Sequence, residues 1–527
     1  MYTTANKHKR RLLSAIIAIM MVLSLMTPAM VDADPTVGEK TQGSLNITKM
    51  DKPESEGGKK LPGAEFTLYK IMNLVPKSNP AAGYDYSIVS AYQTVLAGLT
   101  PDDLGNFSAA EIEAKVNDIL MVNEPASAVQ VTDASGVAKF NNLALGYYLV
   151  VETKAPNGYI AGKPFFVAIP STDNYDQDNQ NGTTWVYDVN VIPKNEELNI
   201  EKWIVSGGAL LEEDTASVGD RINYVVESNI PDYDDAYFAD NTKSPIFKIS
   251  DEMDAGLTFT FPTDFEKAVR IDNGSEIILS GSSDYSLVTG TNGFALTFTR
   301  PFLKDHRGAK IKLYYSAVLN ENAVKGTGNS NDNAVTLEYS NNPKDLSHTE
   351  KIDDETKVYT FGVKVEKFGE DNNPLSGAAF VLYSDEACTK PITGELVSDN
   401  NGMITFPNVK EGIYYLKETK SPKGYTLLTN PIKIEIKAIR VGGKLTGDFE
   451  LYVDGTKIEK TGTPGDFTTK IDLVKGDSTI AVKNHEGFTL PETGGMGIYI
   501  FLAIGLIGII AISIVMTRKK PSRKMSV

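Results

Sequence analysis

The chain has 527 residues and carries 52 lysines and arginines against 68 aspartates and glutamates, a formal net charge of −16 at pH 7. This negative excess argues against nucleic acid or an anionic membrane surface as a partner, because both would repel the chain. The one cysteine, Cys388, rules out an internal disulfide, and the scattered His306, His348 and His485 form no hydrolase arrangement in the sequence.

The N-terminus has the layout of a secretory signal peptide. Basic residues at positions 7, 9, 10 and 11 precede an apolar segment from Leu12 to Met26, and residues 31–33 are small or compact where a signal peptidase reads them. Residues 1–33 are therefore predicted to be removed. The mature protein is expected to be secreted and to begin near Asp34.

The mature region is predicted to be mainly β, in three tandem immunoglobulin-like sandwiches. Short alternating runs are rich in Tyr, Val, Ile and Thr, and about 460 residues exceed what one core accommodates. Residues 61–69 (LPGAEFTLY) recur as 375–383 (LSGAAFVLY), and 146–159 (GYYLVVETKAPNGY) recur as 412–425 (GIYYLKETKSPKGY). The predicted domains are 34–195, with a helix from Ser108 to about Met121 in an insertion; 196–356, which lacks both repeats; and 357–489, the second copy.

Strand parity then identifies three sets of polar residues. Alternate side chains of a strand share one face, and in each predicted domain a lysine, an acid and an asparagine continue an apolar, core-facing series. The lysine belongs to the first predicted strand of its domain and the asparagine to the last. In chain order the sets are Lys49, Glu152 and Asn195; Lys202, Asp251 and Asn333; and Lys367, Glu418 and Asn484.

A buried lysine, acid and asparagine have a joint chemistry. A low dielectric favours the neutral, nucleophilic amine and the protonated acid, which can polarise the amide and shuttle protons while ammonia leaves. The product is a Lys–Asn isopeptide bond, which removes the cost of burying both polar ends. For a single set, the alternative is a lysine that snorkels at a strand end beside a hydrogen-bonded core asparagine. The recurrence of the set in one order favours the isopeptide.

The C-terminus combines three signals. A bilayer-length apolar run, Gly497 to Met516, is followed by a tail with five basic residues between positions 518 and 524, which belongs on the cytoplasmic side. The pentapeptide before the run resembles the LPXTG cell-wall sorting signal of Gram-positive surface proteins, which a sortase cleaves after the threonine. The alternative for residues 490–527 is an ordinary single-pass membrane anchor. The pentapeptide consists of Leu490, Pro491, Glu492, Thr493 and Gly494.

Together these features resemble a sortase-assembled major (backbone) pilin of Gram-positive bacteria. The resemblance implies collagen-adhesin B-type (CnaB) folds for the outer domains, with Glu152 and Glu418 as catalytic acids, and a CnaA-like fimbrial isopeptide domain that uses Asp251. The family's pilin motif, W-x3-V-x-V-Y-P-K, is matched except for Ile192 in place of tyrosine, and parity directs its lysine to solvent. The matching residues are Trp185, Val189, Val191, Pro193 and Lys194.

The resemblance implies a structural subunit rather than an enzyme, with no cofactor or metal. A class C pilus sortase would join Thr493 of one subunit to Lys194 of the next, and a housekeeping sortase would attach the fibre to peptidoglycan. Ancillary pilins and possible host matrix proteins complete the expected partners, and adhesion and colonisation the expected role. The competing hypothesis is a wall-anchored adhesin or tip pilin that binds host matrix, and the presence of the pilin motif argues for the shaft.

Overall fold

A computed structural model describes residues 40–77, 84–173, 184–260, 267–272, 274–462, 465–487 and 497–517. The predicted signal peptide, the pentapeptide 490–494 and the basic tail lie outside these residues. The prediction of a mainly β, multidomain chain is confirmed.

Four α-helices are present in the described part of the chain. The insertion helix begins after Ser108, whose side chain accepts a hydrogen bond from the Glu111 amide while the Glu111 carboxylate accepts one from the Ser108 amide. A preceding short helix, which the sequence analysis missed, has the same capping box at Thr100 and Asp103. The helices are α1 (Pro101–Gly105), α2 (Ala109–Met121), α3 (Arg300–Asp305) and α4 (Gly497–Thr517), and the 3-10 turns are Glu54–Glu56, Ser90–Tyr92 and Asp235–Phe238.

The strands form three successive groups. We call β1–β11 the first sandwich, β13–β25 the middle sandwich and β26–β35 the third sandwich. The first group, with the linking strand β12, consists of β1 (Gln42–Thr48), β2 (Glu65–Pro76), β3 (Tyr84–Ile88), β4 (Ala128–Val131), β5 (Val137–Ala144), β6 (Gly146–Lys154), β7 (Tyr159–Ile160), β8 (Phe165–Ile169), β9 (Ser171–Asp173), β10 (Thr184–Val186), β11 (Asp188–Val191) and β12 (Glu196–Glu197).

The middle group consists of β13 (Ile200–Ser206), β14 (Ala209–Leu211), β15 (Glu213–Thr215), β16 (Arg221–Asn229), β17 (Phe247–Met253), β18 (Leu257–Thr260), β19 (Lys267–Asp272), β20 (Ser275–Ile278), β21 (Tyr285–Gly290), β22 (Gly293–Phe298), β23 (Lys310–Leu319), β24 (Asn331–Ser340) and β25 (Thr349–Tyr359). The third consists of β26 (Gly362–Phe368), β27 (Ala379–Tyr383), β28 (Leu396–Val397), β29 (Met403–Thr405), β30 (Gly412–Lys420), β31 (Ile432–Val441), β32 (Lys444–Val453), β33 (Thr456–Ile458), β34 (Lys470–Asp472) and β35 (Asp477–Lys483).

The described residues form two compact units. The first runs up to Asp214 and includes Gly219–Ala323 and Asn331–Val358, so it holds the first sandwich and most of the middle one. The second takes in Thr215–Val218, Val324–Ser330 and the residues from Tyr359 onward, and holds the third sandwich.

The first sandwich packs the sheet β11-β1-β5 on the sheet β3-β2-β6-β8. Alternate residues such as Leu45, Phe66 and Val150 fill the space between the sheets, as a period of two requires. The insertion adds a second core on the opposite face of β6, where Ile119 of α2 belongs to the same buried cluster as Val151. Strand β6 is consequently buried on both faces.

The middle sandwich has one sheet with the order β14-β13-β16-β23-β19-β20, in which β18 also pairs with β23, and a second with the order β15-β25-β24-β17-β22-β21. Asn333 lies on β24, and β25 follows it in the same sheet. The expectation that this asparagine belongs to the last strand of its domain is therefore wrong, because an additional hairpin strand, rich in charged residues, pairs with β24.

The third sandwich repeats the plan of the first. Its sheets have the orders β29-β26-β35-β34 and β28-β27-β30-β31-β32-β33, and residues such as Val365, Leu416 and Ile480 form the shared core. Among the described residues no helix covers the outward face of β30, and Ile413 and Lys417 are exposed there. The apolar helix α4 follows in the same unit, and its stretch Tyr499–Thr517 is long enough to span a bilayer, which fits a transmembrane anchor.

Candidate cross-linking sites

The first site brings Lys49, Glu152 and Asn195 together in the first sandwich. The Lys49 Nζ donates to Glu152 Oε2 at 2.6 Å, and the Asn195 Nδ2 donates to Glu152 Oε1 at 2.8 Å. Lys49 is 0% exposed, and the other two side chains are also buried. The acid therefore lies between the amine and the amide.

Strand pairing explains this convergence. Strands β1 and β11 run parallel, with Leu45 opposite Val189. The ladder continues past both strand ends, because the Met50 amide donates to the Pro193 carbonyl at 3.3 Å and the Asn195 amide donates to the Met50 carbonyl at 3.1 Å. Glu152 reaches the pair from β6 in the facing sheet.

Gly162 closes the first site. Its backbone N–H donates to Glu152 Oε2 at 2.7 Å. A Cβ at this position would lie 3.1 Å from each of Asn195 Oδ1, Glu152 Oε2 and the Lys194 carbonyl oxygen. Glycine lets the backbone come close enough to hold the acid, and the sequence analysis did not identify it.

The third site has the same frame with one difference. The Asn484 Nδ2 donates to Glu418 Oε1 and Oε2 at 2.9 and 3.2 Å, and the Leu428 amide donates to Glu418 Oε2 at 2.9 Å. Lys367 lies on β26, parallel to β35, but its Nζ donates to the Val482 carbonyl at 3.1 Å rather than to the acid. Gly162 and Leu428 each follow their acid by ten residues, so the repeat contained this signal.

The middle site is built across two sheets. Lys202 comes from β13 in one sheet, while Asp251 and Asn333 come from the neighbouring strands β17 and β24 of the other. The Lys202 Nζ donates to Asp251 Oδ2 at 2.5 Å. Tyr315 on β23 donates to the same oxygen at 2.5 Å and accepts from the Asn333 Nδ2 at 3.4 Å. Parity places Tyr315 inward, but an inward tyrosine is common in a β core and was not singled out.

Burial shifts the titration of these groups. It lowers the pKa of Lys202 to about 8 against the opposing pull of Asp251, and it lowers the pKa of Lys367 to about 8 against the pull of Glu418. Burial likewise lowers the pKa of Lys49, although Glu152 opposes the shift, and raises the pKa of Asp251 although Lys202 opposes it. The amines thus move toward the neutral, nucleophilic form.

All three asparagines share an unsatisfied oxygen. Within the described residues, the Oδ1 atoms of Asn195, Asn333 and Asn484 are buried and accept no hydrogen bond. A buried polar atom without a partner costs about 1–3 kcal/mol. Because the same unsatisfied oxygen occurs at all three sites, packing alone does not explain why these amide groups are buried.

Lys194 lies immediately beside the first site and has the opposite environment. Its side chain is exposed, whereas Asn195 is 5% exposed. Of the other motif residues, Val189 is buried on β11, and Trp185 on β10 packs edge-on against Tyr84 with a centroid distance of 4.8 Å. Val191 and Pro193 are half-buried.

Two further predictions concern other parts of the chain. Within the described ranges, no group of three or more His, Cys, Asp or Glu residues is arranged to hold a metal ion. The sorting pentapeptide, including Thr493, lies outside the residues whose structure is described.

Comparison with known proteins agrees with this architecture. The SpaA family model, a prealbumin-like fold domain, matches residues 43–183 and 361–447, which lie within the first and third sandwiches. The trypsin-resistant surface T6 protein of Streptococcus pyogenes is 24% identical over 87% of this chain and 93% of its own length. Fimbrial subunit type 2 of Actinomyces naeslundii is 27% identical over 56% of this chain and 60% of its own.

Over most of its length the chain is thus similar to proteins named as pilin or fimbrial subunits of Gram-positive bacteria. Its fold also matches a solved structure, the T6 backbone pilin of serotype M6 Streptococcus pyogenes, with a TM-score of 0.56 and 20% identity. That match covers 85% of this chain and all of the other. The pilin structure is described as modular with three domains.

Proposed function

We propose that this protein is the shaft subunit of a covalently polymerised surface pilus, anchored to the cell wall and stabilised by internal Lys–Asn isopeptide bonds. The observation that carries the proposal is the joint placement of an exposed lysine, Lys194, and a buried one, Lys49, around one asparagine-containing segment. An exposed amine is accessible to another molecule, whereas a buried amine beside an acid and an amide reacts only within its own domain.

The internal reaction needs no external catalyst. The lysine loses a proton, which the acid takes where the two are hydrogen-bonded, and the neutral Nζ attacks the asparagine Cγ. The Cγ–Nδ2 bond then breaks and ammonia leaves. The buried acids would carry the protons, since each accepts a hydrogen bond from its lysine, from its asparagine or from both. These acids are Glu152, Asp251 and Glu418. In this proposal the chain catalyses only its own cross-links and is otherwise a sortase substrate.

The intermolecular reaction uses the sorting signal. A class C sortase would cleave between Thr493 and Gly494 and hold the subunit as a thioester, and Lys194 of the next subunit would attack it. Repetition lengthens the fibre, and transfer by a housekeeping sortase to a peptidoglycan amine ends growth. The relatives' names, a surface protein and a fimbrial subunit, support this placement at the cell surface. Ancillary pilins and a role in adhesion belong to the same proposal.

The positions of the joints determine which parts carry load. Tension that enters at Lys194 and leaves at Thr493 runs through the middle and third sandwiches, and the first sandwich lies outside that path. A Lys367–Asn484 bond would let the force bypass β27 to β35, and a Lys202–Asn333 bond would let it bypass β14 to β23. Both bonds would therefore limit extension of the fibre under load.

Replacing Lys194 with alanine tests the polymer. In cells that contain the pilus sortase, the wild type is expected to give a ladder of high-mass bands that survives boiling in detergent, and Lys194→Ala is expected to give monomers only. Lys139, an exposed lysine on β5, provides the matched control. A ladder that persists in Lys194→Ala, or disappears equally in Lys139→Ala, contradicts the assignment.

The internal bonds are tested by mass. A tryptic digest of the full chain should contain three cross-linked peptide pairs, each lighter by one ammonia, that join Lys49 to Asn195, Lys202 to Asn333 and Lys367 to Asn484. Linear peptides that end at these lysines, with the asparagines intact, would refute the bonds while leaving the intermolecular joint untouched.

A further inference from the structure

The middle site differs from the outer two in how its acid reaches the asparagine. In the first and third sandwiches the glutamate accepts directly from the asparagine Nδ2, at 2.8 and 2.9 Å. Asp251 is one methylene shorter than glutamate, and it makes no such contact with Asn333. The hydroxyl of Tyr315 occupies the gap, 2.5 Å from Asp251 Oδ2 and 3.4 Å from the Asn333 Nδ2.

We propose that Tyr315 is a catalytic residue of the middle sandwich, which relays a proton from Asp251 to the departing nitrogen of Asn333. The inference rests on the proposed Lys202–Asn333 isopeptide and adds a fourth participant to it. A phenolic hydroxyl suits this role, because it can donate its hydrogen to one partner while it accepts a hydrogen bond from another.

The surroundings keep the hydroxyl available. Tyr315 is 2% exposed, and its ring stacks on that of Tyr224 at a centroid distance of 5.3 Å. The Lys202 Nζ lies 5.5 Å from the centroid of each ring, so the two rings shield the amine from water. Burial and the nearby Asp251 hold the pKa of Tyr315 well above its usual range, so the phenol retains its proton between reaction steps.

Each proton in the proposed reaction has a donor and an acceptor. Lys202, as an ammonium, gives one proton to Asp251 Oδ2, and the neutral Nζ attacks the Asn333 Cγ. As the Cγ–Nδ2 bond breaks, Tyr315 gives its hydrogen to Nδ2 and receives the proton held by Asp251, so that ammonia leaves and the phenol is restored. The new amide nitrogen then loses its surplus proton to Asp251, which ends neutral.

In the outer sites a different kind of donor binds the corresponding oxygen of the acid. There the donor is a backbone N–H, from Gly162 and Leu428, and it cannot pass a proton on. The relay is therefore specific to the aspartate site, where the shorter acid leaves both the room and the need for a hydroxyl.

The test replaces Tyr315 with phenylalanine in the full chain, which is collected unfolded in denaturant from inclusion bodies so that no bond has formed before refolding. Bond formation is followed during refolding by the yield of the Lys202–Asn333 cross-linked peptide. We expect this peptide to form about 10²–10⁴-fold more slowly than in the wild type, because general acid–base catalysis usually contributes a rate factor of that size. The Lys49–Asn195 and Lys367–Asn484 peptides should form normally. Tyr233→Phe, a buried tyrosine of the same sandwich whose hydroxyl donates to the Ile246 carbonyl, is the matched control.

A wild-type rate in Tyr315→Phe overturns the relay. Absence of the middle cross-link from the wild type itself overturns the proposed internal bond instead, so the two failures are distinct. Should Tyr315→Phe also lose the outer bonds, the double variant Asp251→Glu with Tyr315→Phe decides. Its longer acid should restore the middle bond, and recovery of the outer bonds without the middle one would reject the inference.

Discussion

The outer and middle sandwiches solve one chemical problem with different topologies. In the first and third, the lysine and the asparagine lie at the ends of adjacent parallel strands of one sheet, on the strand or just past it, and the acid comes from the facing sheet. In the middle, the asparagine and the acid share a sheet and the lysine comes from the other. The proposed bond would thus join neighbouring strands in the outer sandwiches but clamp two sheets together in the middle one. The chemistry requires only that the three groups meet in a dry core.

The largest expected effect comes from removing the acid that ties down Lys202. Asp251→Ala leaves a buried ammonium without its carboxylate and blocks the proposed bond, so the free energy of unfolding of the middle sandwich should fall by about 3–5 kcal/mol. Glu418→Ala should cost less, because Lys367 donates to a carbonyl rather than to the acid. Scanning calorimetry of the full chain measures both, with Glu252→Ala, an exposed residue of β17, as control. Equal losses in Asp251→Ala and Glu252→Ala would contradict the comparison.

The second core of the first sandwich offers the next contrast. Val151 is 1% exposed beneath the insertion, and the equivalent position in the repeat is the exposed Lys417. Val151→Lys should destabilise the first sandwich by roughly 3–5 kcal/mol, because it buries an unpaired charge. Lys417→Val should stay within about 0.5 kcal/mol. Chemical denaturation of the two variants provides the test, and similar losses at both positions would mean that the insertion does not cover β6.

A smaller effect separates the two backbone donors. Gly162→Leu would push a side chain into the first site, and such overpacking typically costs about 1–3 kcal/mol. The yield of the Lys49–Asn195 peptide should drop. The reverse change, Leu428→Gly, keeps the backbone N–H that donates to Glu418. It should therefore leave the yield of the Lys367–Asn484 cross-linked peptide unchanged. A full Lys49–Asn195 yield in Gly162→Leu would show that the close approach at this glycine is dispensable.

The smallest expected difference is one of pH dependence. Lys367 donates to the Val482 carbonyl rather than to its acid, so it must lose its proton to solvent before its neutral Nζ can attack. Because its pKa is lowered to about 8, the third bond should form about tenfold more slowly for each pH unit below that value. Lys202 donates directly to Asp251 at 2.5 Å, and the ionic and neutral forms of this pair hold the same number of protons. The middle bond should therefore form at a nearly constant rate between about pH 6 and 8. Cross-linked peptides quantified in quenched refolding samples compare the two, and parallel pH profiles would contradict the assignment.

Sequence alone determined the β architecture and the inward faces of the strands, since a period of two assigns each side chain to a face. Lys49, Lys202 and Lys367 are all at most 1% exposed, and the predicted acids and asparagines are buried beside them. The repeats around Glu152 and Glu418 likewise indicated two copies of one domain plan, and the SpaA family model matches residues in both. These features depend on residues close together in the sequence or on segments that recur, so they can be predicted from the sequence alone.

Tertiary structure decided what depends on the pairing of distant strands. Parity could not assign Lys202 and Asn333 to opposite sheets, nor reveal β25 beyond β24. It could not single out Tyr315, because that hydroxyl matters only through its distance from atoms 64 and 18 residues away along the chain. The second core over β6 needed the insertion to fold back onto the sheet. Contacts of this kind depend on packing between faces, which the sequence pattern of one strand does not specify.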